Sequence, residues 1–172
     1  MLSCRHSKCG ILCLCKKECV LQIKICGGDI VKEINIKKIS KRYTVRKLNL
    51  DDVQMIYTFC KKNTQYYEYC GKELSIELIK KDIEITPPGI PIEQKYYIGF
   101  FMMDCGLQGN GIGSKIVSES LEYLSEQGFQ KCQLGIDKDN PQSNHFWRKN
   151  GFEVIREVEI EEGIILAAEK PL

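Results

Sequence analysis

The segment Leu107-Gln108-Gly109-Asn110-Gly111-Ile112-Gly113-Ser114 lies directly after an apolar run, Tyr96–Met103, and directly before an amphipathic stretch. This order predicts a strand, a glycine-rich loop and a helix. Three glycines within five positions allow backbone N–H groups to converge on an anion, and the helix adds the partial positive charge of its N-terminus at the same point. The segment therefore predicts a ligand that carries phosphate.

The spacing of the glycines separates three kinds of phosphate-binding loop. A Walker loop needs a Gly-Lys-Ser/Thr triplet, which the chain lacks. The dinucleotide fingerprint Gly-x-Gly-x-x-Gly is broken, because its third glycine falls on Ser114. The remaining pattern, Gln-x-x-Gly-x-Gly at Gln108, Gly111 and Gly113, resembles the acetyl-CoA pyrophosphate loop of the GNAT superfamily of N-acetyltransferases. A glycine-rich turn that binds nothing is the alternative.

The sequence on both sides of the loop strengthens this resemblance. Apolar residues continue at helical spacing towards Gly128, and Lys131–Asp137 is typical of a strand, so a strand-helix-strand crossover is predicted. The stretch 140–152 resembles the second signature of these transferases, Asn-x-x-Ser/Ala followed by an aromatic pair and Gly-Phe. Residues 43–53 are similar to the family's first strand and the start of its first helix. The resemblance thus covers most of the chain.

The resemblance implies an α/β (α+β) fold, with a GNAT-like mixed, mostly antiparallel central sheet flanked by helices, in one acetyltransferase domain over residues 41–172. Helical periodicity predicts helices over 50–62 and 75–85. From residue 92 to residue 107 there is room for one strand, Lys95–Met103, where the family has three. We therefore expect a shortened N-terminal half of the sheet, with one hairpin absent.

Residues 1–40 are a different kind of sequence. Six of the ten cysteines lie within the first 26 residues, and no Cys-x-x-Cys pair occurs. The spacing of Cys9, Cys13, Cys15 and Cys19 is irregular for structural zinc, so we expect no metal and keep a zinc site as the alternative. The segment 1–40 is predicted to be a disordered, Cys-rich basic extension of the domain.

The charge distribution and hydropathy of the chain limit the kinds of partner that it can bind. Residues 1–48 hold 12 Lys and Arg against 3 Asp and Glu, and the remainder holds 13 against 20. The basic part has no recognised nucleic-acid module, so we expect no nucleic-acid partner, and the acidic remainder favours a cationic substrate. No apolar run approaches the roughly 20 residues that span a bilayer. We expect a cytoplasmic protein, monomeric or homodimeric, without membrane association.

The resemblance also implies a function and a set of cofactor-binding residues. The family's activity would be transfer of an acetyl group from acetyl-CoA to a primary amine of a small molecule or peptide, directly within a ternary complex. The backbone of Phe101, Met102 and Met103 would bind the pantetheine amides and the acetyl oxygen. The remaining implied cofactor residues are Gln108, Gly109, Asn110, Gly111, Ile112, Gly113 and Ser114 at the pyrophosphate, and Asn140 and Ser143 near the pantetheine arm. Local turn chemistry is the alternative for Asn140.

The residues that would handle protons depart from the family's pattern. Trp147 stands where many relatives carry a tyrosine that protonates the thiolate, and Gly135 stands where some carry a glutamate base. Trp147 is predicted to be a packing residue. The segment 66–71 offers Glu68 and Tyr67 as candidate catalytic residues, with Asp104 as a further candidate base. The alternative function is therefore a catalytically impaired GNAT-like domain that only binds acetyl-CoA.

Overall fold

A computed structural model of the chain describes residues 8–14, 19–26, 35–67, 69, 73–84, 95–161 and 163–172. The strands are β1 (Lys8–Leu14), β2 (Cys19–Cys26), β3 (Val45–Lys47), β4 (Lys95–Met103), β5 (Lys131–Asp137), β6 (Glu153–Ile160) and β7 (Gly163–Pro171). The helices are α1 (Val53–Lys62), α2 (Thr64–Tyr67), α3 (Ile76–Glu84), α4 (Ile112–Glu126) and α5 (Pro141–Lys149). Within these ranges, no helix has the length and apolar character that crossing a membrane requires.

The strands form one mixed, mostly antiparallel sheet, as predicted. Within the described residues, its seven strands lie in the order β3-β1-β2-β4-β5-β7-β6. The pair β4 and β5 is parallel, and every other neighbouring pair is antiparallel. Parallel neighbours need a crossover connection, and α4 supplies it. The bounds of β4 and β5 are confirmed. The helix predicted over 50–62 is confirmed as a 3-10 turn, Leu50–Asp52, followed by α1, and the helix predicted over 75–85 is confirmed for 76–84.

The hairpin β1–β2 corrects two predictions. It lies between β3 and β4, where β1 pairs with β2 over Lys8–Leu14 and β2 pairs with β4 along the whole of Cys19–Cys26. The sheet is therefore not shortened, because strands from the N-terminus occupy the two places that the short connection before β4 leaves. The prediction that 1–40 is a disordered extension is wrong for residues 8–14 and 19–26. Cys15 lies outside the described residues, so the zinc alternative stays a prediction.

A short segment between β2 and β3 is fastened to the outer side of α4. Ser40 Oγ donates to Glu119 Oε2 at 2.5 Å, the Lys41 N–H donates to the same oxygen at 3.1 Å, and Arg42 Nε lies 2.9 Å from Glu119 Oε1. Ile39 in this segment is 1% exposed. These contacts hold the chain on α4 as it passes from the hairpin to β3.

Two apolar clusters cover the two faces of the sheet. One joins α4 and α5 to the sheet, and its fully buried members include Ile116, Leu124, Leu134, Ile136 and Phe152. The other joins α1 and α3 to the opposite face, and its members are Leu48, Val53, Ile56, Phe59, Cys60, Ile79 and Met102. β4 contributes to both clusters, so its position is fixed from both faces.

Candidate active site

The centre of the sheet opens between β4 and β5. In the described part of the chain, their parallel pairing joins 96–98 to 132–134 and stops at Ile98↔Leu134. At this point the register of β4 against β2 shifts from Ile23↔Ile98 to Gln22↔Phe100, which leaves Gly99 as an extra residue. Such a bulge redirects a strand locally. Residues 101–103 therefore pair with β2 on one side and turn their other edge towards the opening.

The glycine loop beside this opening leaves open space in front of the N-terminus of α4. Gly109 and Gly111 have φ values of 79° and 75°, in the left-handed region that glycine favours, and an added Cβ on either would meet nothing within 4 Å. Gly111 is the N-cap of α4 and makes no side-chain cap hydrogen bond. The first bond of the helix runs from the Lys115 N–H to Gly111 O at 3.1 Å. The N–H groups of 112–114 thus lack intrahelical partners and carry the positive end of the helix dipole.

Gly113 lets α4 approach its neighbours closely. A Cβ at this position would lie 3.3 Å from Met103 Cγ, 3.3 Å from Phe146 Cε2 and 3.5 Å from Phe101 Cε1. A side chain here would push the helix away from β4 and α5. The glycine therefore keeps the N-terminus of α4 against the open edge of β4.

Side-chain amides tie the loop to three elements. Gln108 Nε2 donates to Asn63 Oδ1 at 3.0 Å and to Met103 O at 3.2 Å, and Gln108 Oε1 accepts from Gln142 Nε2 at 2.8 Å. Asn63 is 4% exposed and donates from Nδ2 to Phe59 O at 3.1 Å. Because both amide hydrogens of Gln108 are used within the protein, its side chain positions the loop, and only its backbone is left for the predicted cofactor contact.

Trp147 packs on the α5 side of the opening, as predicted. It is 6% exposed, and its ring centroid lies 4.9 Å from that of Phe146, 5.2 Å from that of Phe152 and 5.8 Å from that of Phe101. Phe101 and Phe146 stack on each other at 5.5 Å. This aromatic cluster forms an apolar wall beside the loop.

The opening, the loop and the aromatic wall enclose one cavity of about 600 Å³. It is lined by ten of the predicted cofactor residues, namely Phe101, Met102, Met103, Gln108, Gly109, Gly111, Ile112, Gly113, Ser114 and Ser143. The lining also includes the basic side chains Lys62, His145 and Lys149. Among the described residues that line it, none is Asp or Glu. The electrostatic character of the cavity suits a ligand with negative charge.

Two predicted cofactor residues lie outside this lining. Asn140 is 2% exposed and caps α5, with Oδ1 accepting from the Ser143 N–H at 2.9 Å. This is the local turn chemistry that was the alternative for Asn140. Asn110 is exposed, and its Nδ2 donates to Gln108 O at 3.3 Å.

The structure does not test the two predicted catalytic residues. Glu68 lies outside the described residues, and Tyr67 is the last residue of α2, with only its backbone described. The neighbouring Tyr66 packs edge-on against Phe100, with ring centroids 5.8 Å apart. Both catalytic assignments stay predictions. Sequence reasoning missed Asn63 and Gln142, for which hydrophobic periodicity carries no signal.

Residues 83–152 match the model of the acetyltransferase (GNAT) family. No curated protein sequence matches the chain. In two solved structures, of the NatC complex and of Arabidopsis thaliana Naa50, the chain spans 56% and 55% of the matched chain. The chain thus spans about half the length of these relatives.

Three solved structures match over most of their own length and share the fold. Ard1 from Thermoplasma volcanium is 15% identical with a TM-score of 0.56, over 75% of this chain and 97% of that chain. PaiA N-acetyltransferase from Thermoplasma acidophilum, in complex with coenzyme A, is 17% identical with a TM-score of 0.53, over 74% of this chain and 97% of that chain. RimL, a ribosomal L7/L12 alpha-N-protein acetyltransferase, is 13% identical with a TM-score of 0.57, over 94% of this chain and 95% of that chain.

Proposed function

We propose that this chain, whose residues 83–152 match the model of the acetyltransferase (GNAT) family, moves an acetyl group from acetyl-CoA to a primary amine of a small molecule or peptide. The single observation that carries the proposal is that one cavity contains both the open edge of β4 and the N-terminus of α4. An acyl-CoA has a matching pair of features, an amide-bearing arm and a diphosphate.

The residues present fit this substrate. The N–H groups of 112–114 would hold the diphosphate, since Gly109 and Gly111 leave the space in front of them open. The free edge of β4 at Phe101 and Met103 would bind the pantetheine amides as an added strand does. The basic side chains Lys62 and Lys149 at the rim favour the negative charge of the phosphates.

An amine acceptor and direct transfer are the finer parts of the proposal. RimL is named as an alpha-N-protein acetyltransferase and PaiA as an N-acetyltransferase, which supports an amine nitrogen as the acceptor. Direct transfer is supported by the state of two cysteines, Cys132 and Cys105. Burial raises the pKa of the Cys132 thiol, so that it stays protonated. Cys105 is exposed and, among the described residues, has no hydrogen bond to a basic side chain that would activate it.

A domain that only binds acetyl-CoA is the second candidate, because Trp147 fills the place of the usual acid and is held in an aromatic cluster. Release of free thiol from acetyl-CoA, measured with a panel of small amines and of peptides with free N-termini, separates the two functions. We expect turnover with at least one amine and none without an amine. Saturable coenzyme binding without amine-dependent thiol release would favour the second candidate.

A further inference from the structure

Two rings of the aromatic wall line the cavity at different distances from the glycine loop. Phe146 lies at the loop end, because its Cε2 atom is 3.3 Å from the point where a Cβ on Gly113 would stand. The described atoms nearest to that point belong to Met103, Phe146 and Phe101. Trp147 also lines the cavity and packs against Phe101, with ring centroids 5.8 Å apart. Trp147 therefore stands farther from the loop than Phe146 does.

The opening between β4 and β5 is closed at the end away from the loop. Its last paired row is Ile98↔Leu134, and these two residues are 3% and 1% exposed. Trp147 belongs to the same apolar cluster as this row. Behind Trp147 lies Phe152, which is 2% exposed, with ring centroids 5.2 Å apart. Because such a core is close-packed, the indole ring has no room to move aside.

The notch that Gly135 leaves in β5 is filled on the other face of the sheet. Leu134 and Ile136 belong to the cluster with α4 and α5, so by alternation Gly135 faces the opposite way. A Cβ on Gly135 would lie 2.9 Å from Ile165 Cγ2 and 3.3 Å from Tyr97 Oη. These two side chains occupy the space beside the glycine. A long chain at the closed end of the opening therefore finds no room at Gly135.

We infer that Trp147 limits the acyl group that the cavity accepts to two carbons, an inference that rests on the proposed function. With the diphosphate at the start of α4 and the pantetheine arm along 101–103, the thioester would lie towards the closed end of the opening. The methyl group of an acetyl thioester would rest against the indole ring of Trp147. Each further methylene would have to displace that ring or the core behind it.

Three substitutions separate the limit on chain length from general packing. Trp147→Leu removes the indole and keeps an apolar side chain, and Trp147→Phe removes less volume and keeps an aromatic ring. Phe129→Leu is the matched control. Phe129 packs against the same apolar cluster and is not among the described residues that line the cavity. The control therefore loses packing without enlarging the cavity.

Calorimetric titration with acetyl-CoA, butyryl-CoA and hexanoyl-CoA, in the absence of any amine, measures the limit without turnover. In a hydrophobic pocket one methylene changes a preference by roughly 10- to 200-fold. We expect the wild-type protein and Phe129→Leu to bind butyryl-CoA at least about tenfold more weakly than acetyl-CoA, and hexanoyl-CoA more weakly still. Trp147→Leu should bind butyryl-CoA at least as tightly as acetyl-CoA, and Trp147→Phe should show a smaller preference for acetyl-CoA than the wild-type protein.

The titrations distinguish failure of the inference from failure of the proposed function. Equal affinities of the wild-type protein for the three thioesters would overturn the inference and leave the proposed function standing. A folded Trp147→Leu or Trp147→Phe variant with the full wild-type preference would do the same. A wild-type protein that binds none of the three thioesters would contradict the proposed function, and the inference with it.

A crystal structure of the wild-type protein with acetyl-CoA decides the matter if neither Trp147 variant melts cooperatively. The inference expects the acetyl methyl carbon within about 4 Å of the indole ring, the distance of an apolar contact. A methyl carbon directed away from Trp147, with open space beyond it, would overturn the inference.

Discussion

Asn63 Oδ1 accepts a hydrogen bond from Gln108 Nε2 at 3.0 Å, across 45 positions of sequence. The bond joins the end of α1 to the first polar residue of the glycine loop. Asn63 is 4% exposed, and its Nδ2 is held by Phe59 O, so the acceptor oxygen has a fixed direction. The helices on one face of the sheet therefore help to set the loop that begins α4.

Replacing Asn63 tests this link. Asn63→Leu removes the acceptor for Gln108 and leaves Phe59 O without its donor, and an unmade buried hydrogen bond costs about 1–3 kcal/mol. We expect chemical denaturation to show a loss of stability of that size, and calorimetry to show about tenfold weaker coenzyme A binding. Gln142→Ala is the control, because it removes one exposed hydrogen bond to the same Gln108. Equal effects of the two substitutions would contradict the link.

Gly113 offers a second test of loop placement. Gly113→Ala puts a methyl group 3.3 Å from Met103 Cγ and Phe146 Cε2, and crowding of this kind costs about 1–3 kcal/mol. The start of α4 should shift from β4, so we expect coenzyme A affinity to fall by about tenfold. Ser118→Ala, on the exposed side of the same helix, should leave it unchanged. An unaltered affinity in Gly113→Ala would show that the close approach is not needed.

The N-terminal hairpin is expected to be essential for the sheet. Deletion of residues 1–26 removes β1 and β2. The edge of β4 that pairs with Cys19–Cys26 is then left without a partner. A bare apolar edge exposes unpaired backbone groups and promotes aggregation. We expect the shortened chain to be insoluble or to lack a cooperative melting transition. A shortened chain that melts cooperatively and binds coenzyme A would refute this topology.

The acid dependence of stability has a local source at Asp52. Hydrogen bonds from the Arg46 guanidinium at 2.7 and 2.8 Å, and one from the Asn49 N–H at 3.0 Å, hold the pKa of the Asp52 carboxyl below its usual value. A carboxyl with a lowered pKa stabilises the fold while it is ionised. Its contribution is complete above its unfolded pKa of about 4, and it is lost as the pH falls through the lower folded value.

Asp52→Asn should therefore destabilise the protein at pH 7, and this destabilisation should disappear in acid. Because the Arg46 side chain is 53% exposed, solvent screens the pair, and we expect a loss below about 1 kcal/mol. Denaturation curves at pH 7, and at the lowest pH at which the wild-type protein and Asp52→Asn both fold, would measure the difference in their stability. A difference in stability that stays constant between the two pH values would rule out this source.

Sequence patterns predicted those features that depend on neighbouring residues. The apolar runs located β4 and β5, and glycine spacing located the loop before α4. The hairpin was missed because its cysteines do not read as a strand pattern and its partner β4 lies about 75 positions away, a pairing that only tertiary contacts decide. The same holds for the bond from Asn63 to Gln108 and for the approach of Tyr97 to Gly135.

The central claim is that the backbone N–H groups at the start of α4 bind the diphosphate of coenzyme A. Calorimetric titration of the wild-type protein and of Gly111→Asp with coenzyme A tests it most directly, since Asp puts a carboxylate where phosphate should lie. We predict saturable binding by the wild-type protein and no detectable heat from a folded Gly111→Asp variant. Equal affinities in the two proteins, or no heat from the wild-type protein, would contradict the claim.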